Sequence, residues 1–306
     1  MIKNNLEISE NTFFIRIRKI QTIKGNNIQI LHLEEECMEQ TPEEIREHYE
    51  VEKELANKLK QSSKEERKYL YASLYDELFQ RVPHHPMLTR KTSSEETQKY
   101  VSKQMNFLKR FLRKDQIFAE IGPGDCSLSF EICKYVKKIY GIDASKEISS
   151  QTVIPDNFQK IISDGVSVPL PPNSVNIVYS DQLIEHLHPD DVIEHLVNIK
   201  NVLVRRGKYI CVTPNRLFGP HDISLYFDDV ASGFHLKEYT FSELKKIFKK
   251  AGFALVFGYI STKRKYFRFP FFLLTLLEKL LKFLSSWRRR RTFFKPYIQI
   301  RIIGVK

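Results

Sequence analysis

Apolar and polar positions change their period along the chain, and the changes divide it into regions. Phe13–Ile20 alternates apolar with basic residues, and Ile28–Leu33 alternates again. Lys24-Gly25-Asn26-Asn27 between them is a turn signal, so the stretch predicts a β-hairpin. A helical period follows. Thr41 stands before Pro42 with Glu44 three positions on, and Ser63 with Glu66 and Ser93 with Glu96 repeat that capping-box spacing, predicting three helix starts. Val82-Pro83-His84-His85-Pro86 breaks the pattern, because each proline disfavours helix in the residue before it. Tyr69, Tyr71, Tyr75 and Phe79 of the second helix can line a pocket, although packing on the rest of the protein is the commoner use of such residues.

From Gln116 onward short apolar runs alternate with helical patterns, the signature of a doubly wound α/β sheet. Ile117–Glu120, Lys138–Ile142, Val175–Ser180, Lys208–Val212 and Phe253–Ile260 read as strands. A helix is expected from about Pro189 to Val204, and Thr240 with Glu243 caps another that ends at Gly252. The closing Tyr297–Val305 alternates and suits a seventh, antiparallel strand. Asn215–Tyr239 shows no clear period. A connection of that length inside a compact domain is usually functional, and this one leaves the carboxyl edge of the sheet, where open α/β folds bind ligands. The expected division is an accessory hairpin-and-helix region over residues 1–114 and an α/β domain over 115–306. The second carries an amphipathic basic insertion at about 262–296.

Composition narrows the class. With 42% hydrophobic residues among 306, the chain can fill a sizeable core. Cys37, Cys126, Cys133 and Cys211 form no CxxC pair, which points to a reducing compartment, the cytoplasm, and away from structural zinc; no metal is expected. The N-terminus lacks a signal-peptide-type apolar run, and no run is long and charge-free enough to span a bilayer. The net charge of +12 is concentrated between Lys263 and Lys295, where Glu278 is the only acid. Within that segment Thr275, Glu278, Lys279, Lys282, Ser285 and Ser286 fall on one helical stripe, leaving a broad apolar face from Phe271 to Trp287. Such a helix suits an anionic membrane surface, peripheral at its inner face, with Lys263–Lys265 and Arg288–Arg291 near the headgroups. The competing expectation is that the apolar face caps the protein by packing on Tyr71, Tyr75 and Phe79.

The chemistry centres on Phe118–Ser129, FAEIGPGDCSLS. A strand runs into Gly122-Pro123-Gly124 and a helix-like segment follows from about Ser127, which brings backbone N–H groups and a helix dipole up to a ligand. The dinucleotide fingerprint needs glycine at its sixth position, which here is Ser127. With Glu120 two residues before Gly122, the stretch instead resembles motif I of the class I S-adenosylmethionine (SAM)-dependent methyltransferases, E/D-x-G-x-G-x-G, with Cys126 in place of the last glycine. Tyr71–Pro86 and Gly219–Thr240 are also similar to a bacterial, type 11-like group of these small-molecule enzymes.

The resemblance covers about Gln116 to Lys306. It implies a seven-stranded Rossmann-like sheet and SAM as cofactor, held through Glu120, Gly122 and Gly124. It places the ribose hydroxyls on Asp143, for which a helix cap is the plainer reading, and the adenine amino group on Asp164, for which an ordinary turn is. Asp181 falls in the cofactor segment after the fourth strand. Methyl transfer from a sulfonium is an in-line displacement that depends mainly on positioning. An oxygen acceptor must also lose its proton, and His221, His235 and His186, in that order, are the candidate bases. The chain lacks the D/N-P-P-Y/F sequence used on flipped bases, which argues against nucleic acid. The expected activity is methylation of a small molecule, glycan or lipid-linked acceptor at oxygen. The alternatives are an NAD-type oxidoreductase, disfavoured by Ser127, and a non-catalytic membrane-associated scaffold, raised by Cys126.

Overall fold

The computed structural model describes residues 40–86, 88, 94–144, 153–261, 265–283 and 298–306. The expected hairpin at Phe13–Leu33, the Ser93 cap and the Arg288–Arg291 cluster lie outside them. Helices α1 (Pro42–Gln61) and α2 (Lys64–Arg81) each open with a complete capping box. Thr41 and Ser63 accept from the amides of Glu44 and Glu66, and those carboxylates accept from the cap amides in return. Helix α3 (Ser94–Leu108) then leads to the sheet.

The strands are β1 (Ile117–Ile121), β2 (Lys138–Asp143), β3 (Phe158–Ile162), β4 (Val175–Asp181), β5 (Leu203–Pro214), β6 (Leu255–Ser261), β7 (Tyr266–Phe269) and β8 (Gln299–Val305). They form one sheet in the order β3-β2-β1-β4-β5-β8-β6-β7. The first five are parallel, and β8 runs antiparallel between β5 and β6. Between the strands lie α4 (Ser127–Cys133), α5 (Val192–Val202), α6 (Phe241–Lys250) and α7 (Phe271–Lys282). The strand order reverses between β1 and β4, which opens a crevice at their carboxyl ends.

Two differences from the sequence reading have local causes. The sheet has eight strands, because Tyr266–Phe269 folds back on β6 as an antiparallel edge inside the expected insertion. Strand β5 begins at Leu203, opposite Val175, and resumes at Lys208 after an irregularity that holds Arg206 at φ 63. Helix α5 therefore stops at Val202.

Alternation along β1 assigns its two faces. Ala119 and Ile121 join a core with Leu55 and Leu59 of α1 and Leu74 and Leu78 of α2. Phe118 packs on the opposite face with Phe107, Leu128 and Ile132, and Glu120 points the same way. The N-terminal helices thus share one core with the sheet. A buried ion pair fixes them: Arg67 donates from Nε and Nη2 to the two oxygens of Asp191, each at 2.7 Å, and Tyr71 donates to Asp191 at 2.8 Å.

Helix α7 sits on α6 and β6. Leu274 meets Gly258, and Leu281 packs with Leu217 and Phe218. Its buried polar residue is Glu278, which accepts from the Ser242 amide at the start of α6 and from the Ser242 hydroxyl. Phe272, Leu276, Leu280 and Phe283 face outward. No helix among the described residues is long and apolar enough to cross a membrane.

Candidate functional site

The turn after β1 is built from left-handed backbone. Gly122 has φ +69 and Gly124 φ +55. A side chain at Gly122 would press on Leu183, whereas one at Gly124 would meet nothing within 4 Å. Bare backbone there faces open space, as a ligand cradle requires. Cys126, standing where the family pattern has glycine, is also left-handed at φ 62. That conformation costs a non-glycine residue about 1–2 kcal/mol. Its thiol is buried between β1 and α4, and burial pushes its pKa up to about 12, so it is an inert packing group.

Carboxylates surround this turn. Glu120 is 3% exposed and accepts from the Ser129 hydroxyl at 2.5 Å. Burial, reinforced by the charges of Asp181, Asp125 and Asp143, pushes its pKa up to about 8. Asp181, at the end of β4, is raised by burial in the same way, although the Tyr100 hydroxyl and the charge of Arg301 oppose the rise. Its Oδ2 accepts from Tyr100 at 3.0 Å and from Gln104 at 2.7 Å, both on α3, while Oδ1 is buried without a hydrogen-bond partner. Asp143 ends β2 beside Gly122, because Ile121 is in register with Ile142. This edge gathers desolvated carboxyl groups that resist ionisation together, and it holds an orphaned acceptor oxygen. It suits a cationic ligand bearing hydroxyl and amino donors, and it opposes a pyrophosphate.

Asp164 lies further out. Its Oδ1 accepts from the amides of Val166 and Ser167, at 3.0 and 2.6 Å, which shapes the turn after β3. Burial alone would raise its pKa; those amide donors hold it below the usual range.

The candidate bases lie beyond the same edge, and the structure separates them sharply. His235 Nδ1 bonds Glu238 at 2.8 Å. Burial opposes its charge, but the Glu238 bond and the charges of Glu185, Asp222 and Glu238 raise its pKa to about 9. A pKa raised in this way favours the cation at neutral pH and works against a role as the resting base. His221 Nδ1 shares the same carboxylate at 3.2 Å, its amide donates to Glu238 at 2.8 Å, and its Nε2 is buried without a partner. Burial pushes the carboxyl of Glu238 upward, but both imidazoles bring it down to about 2. The two loop histidines, placed first by the sequence, are therefore joined through one carboxylate that braces the loop.

His186 is different. Burial, then the neighbouring His235 cation, pushes its pKa down to about 3, so the ring is neutral. Nδ1 lies 2.9 Å from the Tyr75 hydroxyl and 3.1 Å from the Phe234 carbonyl, which leaves Nε2 to accept a proton. Beside it Glu185 is fully buried. Its Oε2 accepts from Thr213 at 2.9 Å, and burial raises its pKa to about 7.

Tyr75, Glu185 and Glu238 escaped the sequence reading as functional residues. Tyr75 stood only in an aromatic series. Glu238 had a local signal, three positions from His235, while the Tyr75–His186 contact spans 111 residues and has none.

A parallel sheet with a crevice at its strand reversal, a bare glycine turn and an acidic edge is an arrangement that suits a cationic nucleoside. Residues 119–211 match the model of the methyltransferase domain. No curated protein matches the chain. Among solved structures, a SAM-dependent methyltransferase from Archaeoglobus fulgidus is 18% identical, with 68% of this chain and 94% of that chain covered and a TM-score of 0.47. A phosphoethanolamine N-methyltransferase of Haemonchus contortus, in complex with SAM, is 19% identical over 66% of this chain and 52% of that one, with a TM-score of 0.49. The YcgJ protein of Bacillus subtilis is 19% identical over 68% and 98%, with a TM-score of 0.42. Residues 119–211 therefore carry a methyltransferase domain, with SAM-dependent methyl transfer as its activity. SAM is its cofactor, and the carboxyl groups of this edge can accept from its hydroxyl and amino donors and give up a proton to its positive charge.

Proposed function

We propose that this methyltransferase acts on a hydroxyl of a small glycan or lipid-linked acceptor, with His186 taking the proton. SAM, when bound at the acidic edge, supplies the methyl group; Glu120, Asp143 and Asp181 hold its charged and hydroxyl groups. The observation that carries the reading is the placement of His186: its Nδ1 is fixed by Tyr75 and Phe234, and its Nε2 is left to meet a hydroxyl. Phe234 and the His221–Glu238–His235 unit set the wall of the acceptor space, and α2 contributes Tyr75 from the accessory region. The buried excess of carboxylates gives the NAD-type alternative no support.

The test is a turnover assay following conversion of SAM to S-adenosylhomocysteine over panels of hydroxylated glycans, glycolipids and amines. Hydroxylated acceptors should turn over, and His186→Asn should lower kcat by 10²–10⁴, the usual span for loss of a general base, with SAM affinity within twofold. A fall of less than tenfold removes His186 as the base.

The same reading places the enzyme on an anionic bilayer through α7. Phe272, Leu276, Leu280 and Phe283 are exposed by 71, 53, 57 and 86%. Burying four such side chains is worth on the order of 5 kcal/mol. Exposed Lys279 lies beside the stripe, and the basic clusters of the sequence flank it at about 1 kcal/mol per residue. Co-sedimentation with phosphatidylserine-containing vesicles should weaken with salt and be lost in Leu276→Glu/Leu280→Glu. Equal recovery of that variant and the parent with the vesicles would exclude α7 as the contact.

A further inference from the structure

Away from the acidic edge, α1 and the linker after α2 bring together two imidazoles and a carboxylate. His48 and Glu52 are one helical turn apart on the buried face of α1. The proline-bounded linker, with the His85 amide donating to Val82 at 3.0 Å, turns His85 onto them. The three are 4, 6 and 7% exposed, and one donor atom from each lies within 4.8 Å of the other two. The His48 and His85 rings are 4.4 Å apart at 59°. His48 Nε2 lies 2.8 Å from Glu52 Oε2 without the geometry of a hydrogen bond, and neither His48 ring nitrogen has a hydrogen-bond partner. A buried imidazole such as His48, with neither nitrogen hydrogen-bonded, is expensive in a folded protein.

We propose that His48, Glu52 and His85 bind a divalent zinc ion. Zinc takes imidazole nitrogen and carboxylate oxygen at about 2.0–2.2 Å, which spaces its ligands roughly 3.3 Å apart, so side-chain rotations within the present cluster suffice. Imidazole donors exclude magnesium and calcium, which take oxygen. Three protein ligands leave a fourth position for water or an acceptor oxygen, the pattern of an open site. Glu52 is anchored as a ligand should be: its Oε1 accepts from the Phe234 amide at 2.8 Å. A side chain at Gly233 would come within 2.7 Å of that oxygen, which is why the loop passes there as glycine. The ion would thus brace the segment that orients His186 and His235.

A second cluster, Glu185, His186 and His235, has comparable spacing. There His235 Nδ1 is taken by Glu238 and His186 Nδ1 by Tyr75 and Phe234.

The inference stands apart from the proposed acceptor, and its test needs neither SAM nor turnover. The full chain, stripped with EDTA, is titrated with Zn²⁺ against a chromophoric chelator, and its zinc content is then measured by elemental analysis. One tight equivalent is expected. His85→Asn and Glu52→Gln should each weaken it at least 100-fold, while His186→Asn leaves it within twofold. X-ray absorption of the zinc-loaded wild type should show nitrogen and oxygen near 2.0–2.1 Å and no sulfur, a readout that survives misfolding of any variant. Absence of a tight equivalent, a sulfur shell, or loss in His186→Asn alone would overturn the site.

Discussion

Glu120 carries the sharpest consequence of the acidic edge. Its pKa rises from an ordinary 4.5 to about 8 in the folded protein, with burial the largest cause. Folded protein therefore holds a proton on Glu120 across a range where unfolded chain has released it. The sign follows directly. Stability from this group is complete below pH 4.5 and is lost as pH rises through 8. At 1.36 kcal/mol per pKa unit, the loss across that window is at most about 5 kcal/mol, reduced by whatever relaxation the buried site allows. Glu120→Gln removes the titration while keeping an oxygen that can accept from Ser129. The amide left beside Asp181 adds or subtracts a constant, on the order of 1–3 kcal/mol, that does not depend on pH.

Urea unfolding of the SAM-free protein at pH 5, 6, 7, 8 and 9 isolates the term. The difference between parent and variant should shift by several kcal/mol in favour of Glu120→Gln as pH increases, because other titrating groups cancel. A bound cation should also draw the proton off. Calorimetry at pH 7 in buffers of different ionisation enthalpy should then show close to one proton released per SAM, and none in the variant. Parallel stability profiles together with no proton release would refute the argument that this edge is acidic and desolvated.

Three further outcomes follow from the contacts. Asp143→Ala should weaken SAM binding by about 1.5–3 kcal/mol, tenfold or more by calorimetry, since a charged acceptor for hydroxyl groups is lost. Arg67→Met should cost about 3–5 kcal/mol in urea unfolding by stranding buried Asp191, and adding Asp191→Leu should recover at least half of it. Glu238→Gln should lower the NMR titration of His235 from about 9, since burial is then opposed only by the charges of Glu185 and Asp222. The parent's stability from His235 is complete below pH 6.5 and lost through about 9, and that from Glu238 is lost as pH falls from 4.5 toward 2. The variant should lose the acid limb and show a reduced alkaline one.

How far these residues could be read in advance depended on the distance over which each interaction acts. The β1 turn was legible because an acid, two glycines and a following helix start lie within a dozen residues, and their spacing alone separates a nucleoside cradle from a dinucleotide one. The capping boxes of α1, α2 and α6 were legible for the same reason. The acceptor side was not. His221, His235 and His186 were visible as residue types, but the carboxylates and the depth of burial that shift His235 and His186 in opposite directions were not. His48, Glu52 and His85 meet only after α2 has packed against α1.

Helix α7 marks the remaining limit, since a hydrophobic period identifies two faces without saying which one the protein keeps. The apolar face was expected inward against Tyr71, Tyr75 and Phe79, or outward in lipid. The fold instead uses part of the polar stripe: Glu278 turns in to accept from Ser242 at the first turn of α6, where orphan amides and the helix dipole favour a carboxylate. Once Glu278 is committed there, a rotation of 100° per residue leaves Phe272, Leu276 and Leu280, separated by four and eight positions, on the outer side with Phe283. An outer side that carries leucine and phenylalanine with Lys279 beside them is the orientation the proposed contact with a bilayer surface requires.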